Sequence, residues 1–185
     1  MANKQYLHTS LSFGLTDSGE PDAEALARID RALAFTKAER GDVFVLGGGM
    51  GTFAKKRGAP SLAAAGETYL RKKRGWTGGI LNRAPDKDTN TVDEIVTLWA
   101  NAKLVETSPF WKAIARPTTS WWHAWRTWWI CLIIFGKPVR VHMSRSTLPW
   151  RIILREIFFH ECPAFLRSCR EAWKKKHTAP RPVTF

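Results

Sequence analysis

The sequence predicts an α/β protein built on an open, mostly parallel sheet of about five strands, with helices on both faces. Short β-rich runs alternate about five times with helical patterns. In one run, Val43 to Leu46, the odd and the even positions are both apolar, as a strand that is covered on both faces requires. We expect one domain over residues 1–177, with a core at 7–143, a C-terminal helical region at 148–176 and a flexible tail at 178–185.

The first half of the chain supplies two strands and two helices. Leu26, Ile29 and Leu33 recur at helical spacing, and Asp22 stands where a helix N-cap is expected. The predicted elements are a strand within 7–15, a helix at 23–40, a strand at 42–46 and a helix from Pro60 to about Lys73.

The second half continues the alternation. Thr91 and Glu94 have the spacing of a capping box, so a helix is predicted from Thr91 to about Ala102. The other predicted elements are strands at 76–81, 111–118 and 138–143, a helix at 120–135, and a long helical region at 148–176 interrupted near Pro163.

In parallel sheets ligands bind beyond the carboxyl ends of the strands, so the residues that follow each strand are the candidate site residues. Gly47, Gly48 and Gly49 follow the second strand, and their backbone N–H groups suit phosphate or carboxylate oxygens. A tight turn without a ligand explains the same glycines equally well. Asn90 and Thr91 follow the third strand; capping explains Thr91, which leaves Asn90 freer to bind a ligand.

The fourth strand leads into a segment that contains Thr119, Ser120, His123 and Arg126. With Ser120 as the N-cap, His123 and Arg126 share one face of the first helical turns. Arginine pairs with phosphate or carboxylate, and histidine can donate a hydrogen bond or transfer a proton. The competing interpretation is that both are core residues with internal partners.

The chain carries 29 basic and 16 acidic residues, a net charge of +13, and ten tryptophans. Eighteen of the basic residues lie in 51–83 and 140–185, whereas six of the tryptophans lie in 111–129. Surfaces that bind single-stranded nucleic acid combine basic and aromatic groups. Because the two are separated here, nucleic acid is a possible partner but not the favoured one, and basic helix ends explain the charge as well.

The remaining features bear on compartment and cofactors. The three cysteines, Cys131, Cys162 and Cys169, show no spacing typical of a zinc site or a disulfide framework. The apolar stretch from Trp121 to Phe135 is too short for a membrane span and contains His123 and Arg126. The N-terminus has no apolar segment typical of a secretory signal, so we expect a cytoplasmic protein without a metal.

The order of these motifs resembles the YdcF, SanA and ElyC family of bacterial proteins. The best match is the segment from Thr119 to Thr127, where the family has a Thr-Ser-x-x-His-x-x-Arg pattern. Asn90-Thr91, the glycines after the second strand, and Arg28 in the first helix also match. The chain departs from the family where two glutamates are replaced by Leu62 and Pro85, and a serine by Asp88.

The resemblance implies a Rossmann-like fold with a polar cluster at the carboxyl edge, and nucleotide-type ligands such as S-adenosylmethionine. It also implies that Arg28 joins Arg126 in holding an anion. The leading hypothesis is therefore a protein that binds a nucleotide-like or phosphorylated small molecule, with transferase or hydrolase activity left open. The alternatives are a protein that binds nucleic acid or an anionic surface, and an adaptor that uses exposed tryptophans.

Overall fold

The fold is a five-stranded, all-parallel open sheet with helices around it, as the sequence predicts. The computed structural model describes residues 3–41, 43–49, 60–81, 90–107 and 111–178. The strands are β1 (Asn3–Ser10), β2 (Val43–Leu46), β3 (Gly79–Leu81), β4 (Trp111–Ser120) and β5 (His142–Ser144), in the sheet order β3-β2-β1-β4-β5. The predicted flexible tail lies outside the described residues, except for Thr178, which ends the last helix.

The helices follow the predicted order with shifted bounds. Asp22 caps the first helix as predicted, because its carboxylate accepts a hydrogen bond from Ala25 N at 2.8 Å. Ser61 likewise caps the second helix through Ala64 N at 3.1 Å. The α-helices are α1 (Ala23–Ala38), α2 (Leu62–Arg74), α3 (Thr91–Glu106), α4 (Ala124–Phe135), α5 (Trp150–Arg155) and α6 (Cys162–Thr178).

Two predicted strands are shorter in the structure, and one is displaced. β1 begins four residues before the predicted Leu7 and ends at Ser10, where Leu11 N donates to Thr118 O at 2.9 Å. β3 and β5 contain three residues each, because both are edge strands with a single neighbour. Edge strands of parallel sheets have half the ladder contacts of inner strands, and apolar patterning alone does not set their ends.

The predicted interruption near Pro163 is a π-helical turn, Glu156–Glu161, between α5 and α6. Proline has no backbone N–H, and in a regular helix its ring clashes with the carbonyl group of the preceding turn. A wider turn just before Pro163 accommodates the ring, so the helix continues without a break.

The core forms on both faces of the sheet. Phe44 and Leu46 of β2 pack with Ile29 of α1 and Leu70 of α2. Val45, which points to the opposite face, packs with Leu98 of α3. α4 and α6 extend this second face, where Ile130 and Ala172 share one buried cluster. All of these core side chains are at least nine-tenths buried, so the sheet is a rigid support for the residues at its edge.

Candidate functional site

The site lies where the direction of the strand order reverses. β1 is the central strand, with β2 on one side and β4 on the other. Because the chain winds outward in both directions from this pair, the carboxyl ends of β1 and β4 are where open parallel sheets form a ligand-binding crevice. Ser12 follows β1, and β4 ends at Ser120 and leads into the turn Trp121–His123, so the topology brings these residues together.

A buried network surrounds Arg28 on one side of this crevice. The Arg28 guanidinium donates to Ser120 Oγ at 3.0 Å, to Leu11 O at 3.3 Å and to Ser12 O at 3.2 Å. Glu24, one turn earlier on α1, lies 3.7 Å from Arg28 Nη2 and accepts from the Ser120 hydroxyl. Arg28 thus joins the ends of β1 and β4 to α1.

Glu24 extends the network to the segment after β5. Its Oε2 accepts from Thr147 N at 2.7 Å and from Ser146 Oγ at 2.9 Å. Burial by itself raises the pKa of Glu24, but the hydrogen bonds from Ser120 and Thr147 outweigh it and hold the pKa below its usual value. Burial lowers the pKa of Arg28, against the attraction of Glu24 and Glu94. Both charges are therefore kept in the interior by each other and by polar neighbours.

On the other side of the crevice, four residues form a closed ring of contacts. Glu161, from the π-helical turn, places Oε1 2.6 Å from His123 Nδ1 and Oε2 3.1 Å from Arg126 Nε. The two distances are those of charge-assisted contacts, although the angles fall outside those of well-aligned hydrogen bonds. Thr91 Oγ1 completes the ring at 3.3 Å from both His123 Nε2 and Arg126 Nη2.

The ring sets the protonation state of His123. Burial lowers the pKa of His123 to about 4, although the adjacent Glu161 carboxylate raises it, and Arg126 lowers it further. Burial also lowers the pKa of Arg126, while Glu161 raises it. His123 is accordingly neutral near pH 7, and Arg126 is the charged partner of the carboxylate.

The structure exchanges the predicted roles of Asn90 and Thr91. Asn90, expected to be freer for a ligand, caps α3: its Oδ1 accepts from Val92 N at 2.8 Å and from Asp93 N at 3.1 Å. The predicted capping box at Thr91 and Glu94 is wrong, because the cap falls one residue earlier. Glu94 instead accepts from Ser12 N at 2.8 Å, and the Thr91 hydroxyl turns toward His123.

Thr119 and Ser120 lie at the end of β4 on opposite faces of the sheet. The predicted side-chain cap at Ser120 is wrong: Ser120 is the last residue of β4, and its hydroxyl bonds to Glu24 and Arg28 instead. The Thr119 hydroxyl is buried and has no hydrogen-bond partner within the part of the chain that the structure describes. A buried hydroxyl without a partner is costly, and Thr119 is one of the predicted site residues.

The glycine segment packs against the start of α2. Gly48 has a φ of +95°, and its carbonyl accepts from Ala63 N at 2.8 Å. The Gly49 carbonyl accepts from Leu62 N at 3.3 Å. These bonds give two of the three predicted glycines a role in a tight turn, and Gly47 lines a small recess, of about 10 Å³, together with Ser10, Ser12 and Leu62.

Replacing Gly48 by alanine is expected to destabilise the protein. A Cβ at this position would lie 2.7 Å from Ser12 Cβ and 2.9 Å from Leu62 Cβ, at a positive φ. Gly75 is the matched control, since its φ is +62° but nothing lies within 4 Å of an added Cβ. In chemical denaturation we expect a loss of about 1–2 kcal/mol for Gly75→Ala and roughly 1–3 kcal/mol more for Gly48→Ala. Equal losses would contradict the close packing at Gly48.

Three residues of the candidate site are not predicted from the sequence, namely Ser12, Glu24 and Glu161. Glu24 could have been found, because it precedes Arg28 by four residues on one helix, the spacing of an ion pair. Ser12 and Glu161 carry no such signal: Glu161 is 35 residues beyond Arg126, in a region expected only to be helical. The packing of the C-terminal segment against the 3₁₀ turn Trp121–His123 brings Glu161 into the site.

Several basic residues of the ranges 51–83 and 140–185 lie near helix ends, where they bind carbonyl groups or acidic side chains. In the last turn of α2, Arg71 donates to Trp76 O and Gly78 O, both at 2.8 Å, and Arg74 Nε binds Asp30 at 2.7 Å. In α6, Lys175 pairs with Asp93 and with Glu171. Within the basic range 51–83, Lys55, Lys56 and Arg57 lie outside the described residues, as do Pro85 and Asp88, where the sequence departs from the family pattern.

A further cleft lies away from this site. It has a volume of about 120 Å³ and runs beside Ala113 to Arg116 of β4, lined also by Lys103, Lys137 and Arg140. It lies toward the amino half of β4, away from the carboxyl edge. Buried ionisable groups concentrate at the carboxyl edge and not in this cleft, which makes the edge the stronger candidate for a functional site.

Several classes of site are absent from the part of the chain that is described. No three histidine, cysteine or acidic side chains there are grouped to hold a metal ion. Cys131, Cys162 and Cys169 are all free thiols, and burial raises the pKa of Cys131 and Cys169. Within the same residues, no helix combines the length and the apolar character needed to cross a bilayer.

Comparison with known proteins does not assign the chain to a family: no family model, no curated protein and no solved structure matches it significantly. The resemblance to the YdcF, SanA and ElyC family therefore stays a prediction, based on the motifs quoted above.

Proposed function

We propose that the chain binds an anionic small molecule, nucleotide-like or phosphorylated, at the carboxyl edge of the sheet. The observation that supports this most directly is that His123 and Arg126 already hold a carboxylate, that of Glu161. An arginine and a neutral histidine on adjacent helical turns recognise carboxylate and phosphate oxygens alike. The Glu161 carboxylate thus occupies the position of the ligand's anionic group.

The concentration of charge at this edge also supports the proposal. Glu24, Arg28, Glu94, His123 and Glu161 are all at least nine-tenths buried, and all lie near the ends of β1 and β4. Buried charges contribute little net stability, because the desolvation cost offsets their attraction. Ionisable groups are arranged in this way more often at binding and catalytic sites than elsewhere.

In the proposed complex, the ligand's anion displaces Glu161 and binds Arg126, with a hydrogen bond from His123 or Thr91. The Thr119 hydroxyl, which is buried without a partner in the described residues, supplies a further polar contact. Arg28 does not bind the ligand directly here, because Leu11, Ser12, Ser120 and Glu24 engage its guanidinium; its role is to hold the strand ends in place.

The test is a ligand panel measured by thermal shift and calorimetry, containing nucleotides, S-adenosylmethionine, sugar phosphates and inorganic phosphate, with and without Mg²⁺. Glu161→Gln keeps the shape of the side chain but removes the competing charge. We expect it to bind the responding ligand about tenfold more tightly than the wild type does, as loss of one charge-assisted contact implies. Arg126→Ala should weaken binding by about tenfold or more.

Arg167→Ala is the matched control, because Arg167 is an exposed arginine near Arg126 that takes no part in the ring. Its affinity for the ligand should equal that of the wild type. Equal ligand affinities in the wild type, His123→Ala and Arg126→Ala would overturn the assignment. So would the absence of any shift with the whole panel in both the wild type and Glu161→Gln.

A further inference from the structure

A second feature of the molecule is the outer face of the segment that supplies Glu161 to the proposed site. The C-terminal helical segment, Trp150 to Thr178, leaves six large apolar side chains exposed, between 37% and 76%. We call them the C-terminal apolar surface; they are Trp150, Leu154, Phe158, Phe159, Leu166 and Trp173. Exposed apolar residues are ordinary when single, but a concentration of them in one segment marks an interaction surface.

These residues recur at helical spacing along the segment. Trp150 and Leu154 are four residues apart on α5, and Leu166 and Trp173 are seven apart on α6, so each pair shares a helix face, while Phe158 and Phe159 lie between the pairs on the π-helical turn. The inner face of the same segment is engaged with the protein, since Ile153, Glu161 and Ala172 are buried. The segment is therefore amphipathic, and most of its apolar outer face is exposed to solvent.

Aromatic contacts extend the surface onto α4. Trp121 stacks on Trp150 with ring centroids 5.7 Å apart, and Trp125 lies 4.7 Å from Phe165, the neighbour of Leu166. Trp121 and Trp125 are themselves 41% and 36% exposed. Part of the tryptophan cluster noted in the sequence thus forms the continuation of the C-terminal apolar surface.

Basic side chains surround this surface. Exposed arginines and a lysine alternate with the apolar residues along the segment, namely Arg151, Arg155, Arg167, Arg170 and Lys174. The acidic groups of the same segment are engaged: Glu161 with His123, Glu171 with Lys175, and Glu156 with Arg155 and His160. The surface therefore presents a net positive charge to whatever covers it.

We infer that this segment docks on an anionic lipid bilayer, lying in the plane of the interface. Tryptophan and phenylalanine with arginine and lysine are the combination that places an amphipathic helix at the headgroup boundary. Aromatic side chains also stack on nucleic-acid bases, but the exposed Leu154 and Leu166 have no such partner there, whereas they insert readily among acyl chains. The complementary charge distinguishes a lipid surface from a second copy, since two such faces would bring like charges together.

The experiment is co-sedimentation of the full chain with vesicles, either phosphatidylcholine alone or the same lipid with about a third phosphatidylglycerol. Binding is expected on the anionic vesicles, with at least about tenfold weaker partitioning onto phosphatidylcholine. Phe158→Ser with Phe159→Ser should reduce partitioning onto anionic vesicles about tenfold or more. Both phenylalanines are more than 60% exposed, so the fold should be kept, and circular dichroism checks this.

Two charge variants separate this surface from general attraction by a basic protein. Arg151→Gln with Arg155→Gln removes two charges from the surface and should weaken partitioning about tenfold. Lys72→Gln with Lys73→Gln removes two charges from α2, on the opposite face of the sheet, and should leave partitioning nearly unchanged. Equal losses in both variants would overturn the inference.

Other outcomes also decide against it. Failure to bind anionic vesicles, or binding that survives the two phenylalanine substitutions, would show that lipid does not cover this surface. A dimer that Phe158→Ser with Phe159→Ser dissociates, in light scattering and without vesicle binding, would assign the surface to a second copy. Salt-sensitive RNA binding lost in the same variant would assign it to nucleic acid.

Discussion

Arg28→Met is expected to lower the free energy of unfolding by about 3–5 kcal/mol, the largest effect that we predict for a single substitution. Methionine has a similar length and is apolar, so the cavity it leaves is small. The loss comes from Glu24, whose carboxylate stays buried without the guanidinium, and from Ser120, Leu11 and Ser12, which lose their hydrogen bonds. Urea denaturation monitored by circular dichroism measures the change.

Arg31→Met provides the matched control on the same helix. Arg31 is exposed and lies over the Phe35 ring, 4.4 Å from its centroid, so its replacement should change the free energy of unfolding by less than about 1 kcal/mol. The double variant Glu24→Gln with Arg28→Met should be more stable than additivity of the single variants implies. Additive losses, or a loss at Arg28 no larger than that at Arg31, would mean that the buried network is not coupled as described.

Acidification from about pH 7.5 to about pH 5 is expected to destabilise the protein by several kcal/mol. The pKa values of His8, His123 and His142 are each lowered to about 4, mainly by burial. The charge of Arg116 also lowers the pKa of His8, and His8 also lowers the pKa of His142. Between pH 6.5 and 4 the unfolded chain therefore binds more protons than the folded chain, and stability falls as pH falls. Each histidine contributes roughly 2 kcal/mol over this range.

The pair His8 and His142 is suited to a direct test. Their rings stack at 5.7 Å beneath α1, where Phe35 lies 3.7 Å from His142 between centroids. His142→Phe removes one proton-binding group and should flatten the pH dependence of the unfolding free energy by roughly 2 kcal/mol. His160→Gln, at a side chain that is 62% exposed, should leave it unchanged. Parallel pH profiles for the wild type and His142→Phe would contradict this account.

Much of the fold follows from local features of the sequence. Asp22 and Ser61 cap their helices as their residue types predict, and the apolar run Val43 to Leu46 is a strand covered on both faces. Such signals act over a few residues, and hydrogen bonds to nearby amides or burial of neighbouring side chains decide them. The cap of α3 shows the limit: Asn90 and Thr91 are both good N-caps, and the contacts of Thr91 with His123 and Arg126 separate their roles.

The sequence by itself determined the strand and helix alternation, the parallel sheet, and His123 and Arg126 as neighbours at its carboxyl edge. Only the tertiary structure decided what these two residues contact. Glu161 reaches them because the C-terminal segment packs back across the edge, and Glu24 closes the network around Arg28 through Ser146 and Thr147. Contacts between residues so far apart in sequence depend on the packing of whole helices against the sheet, which no local pattern of side chains encodes.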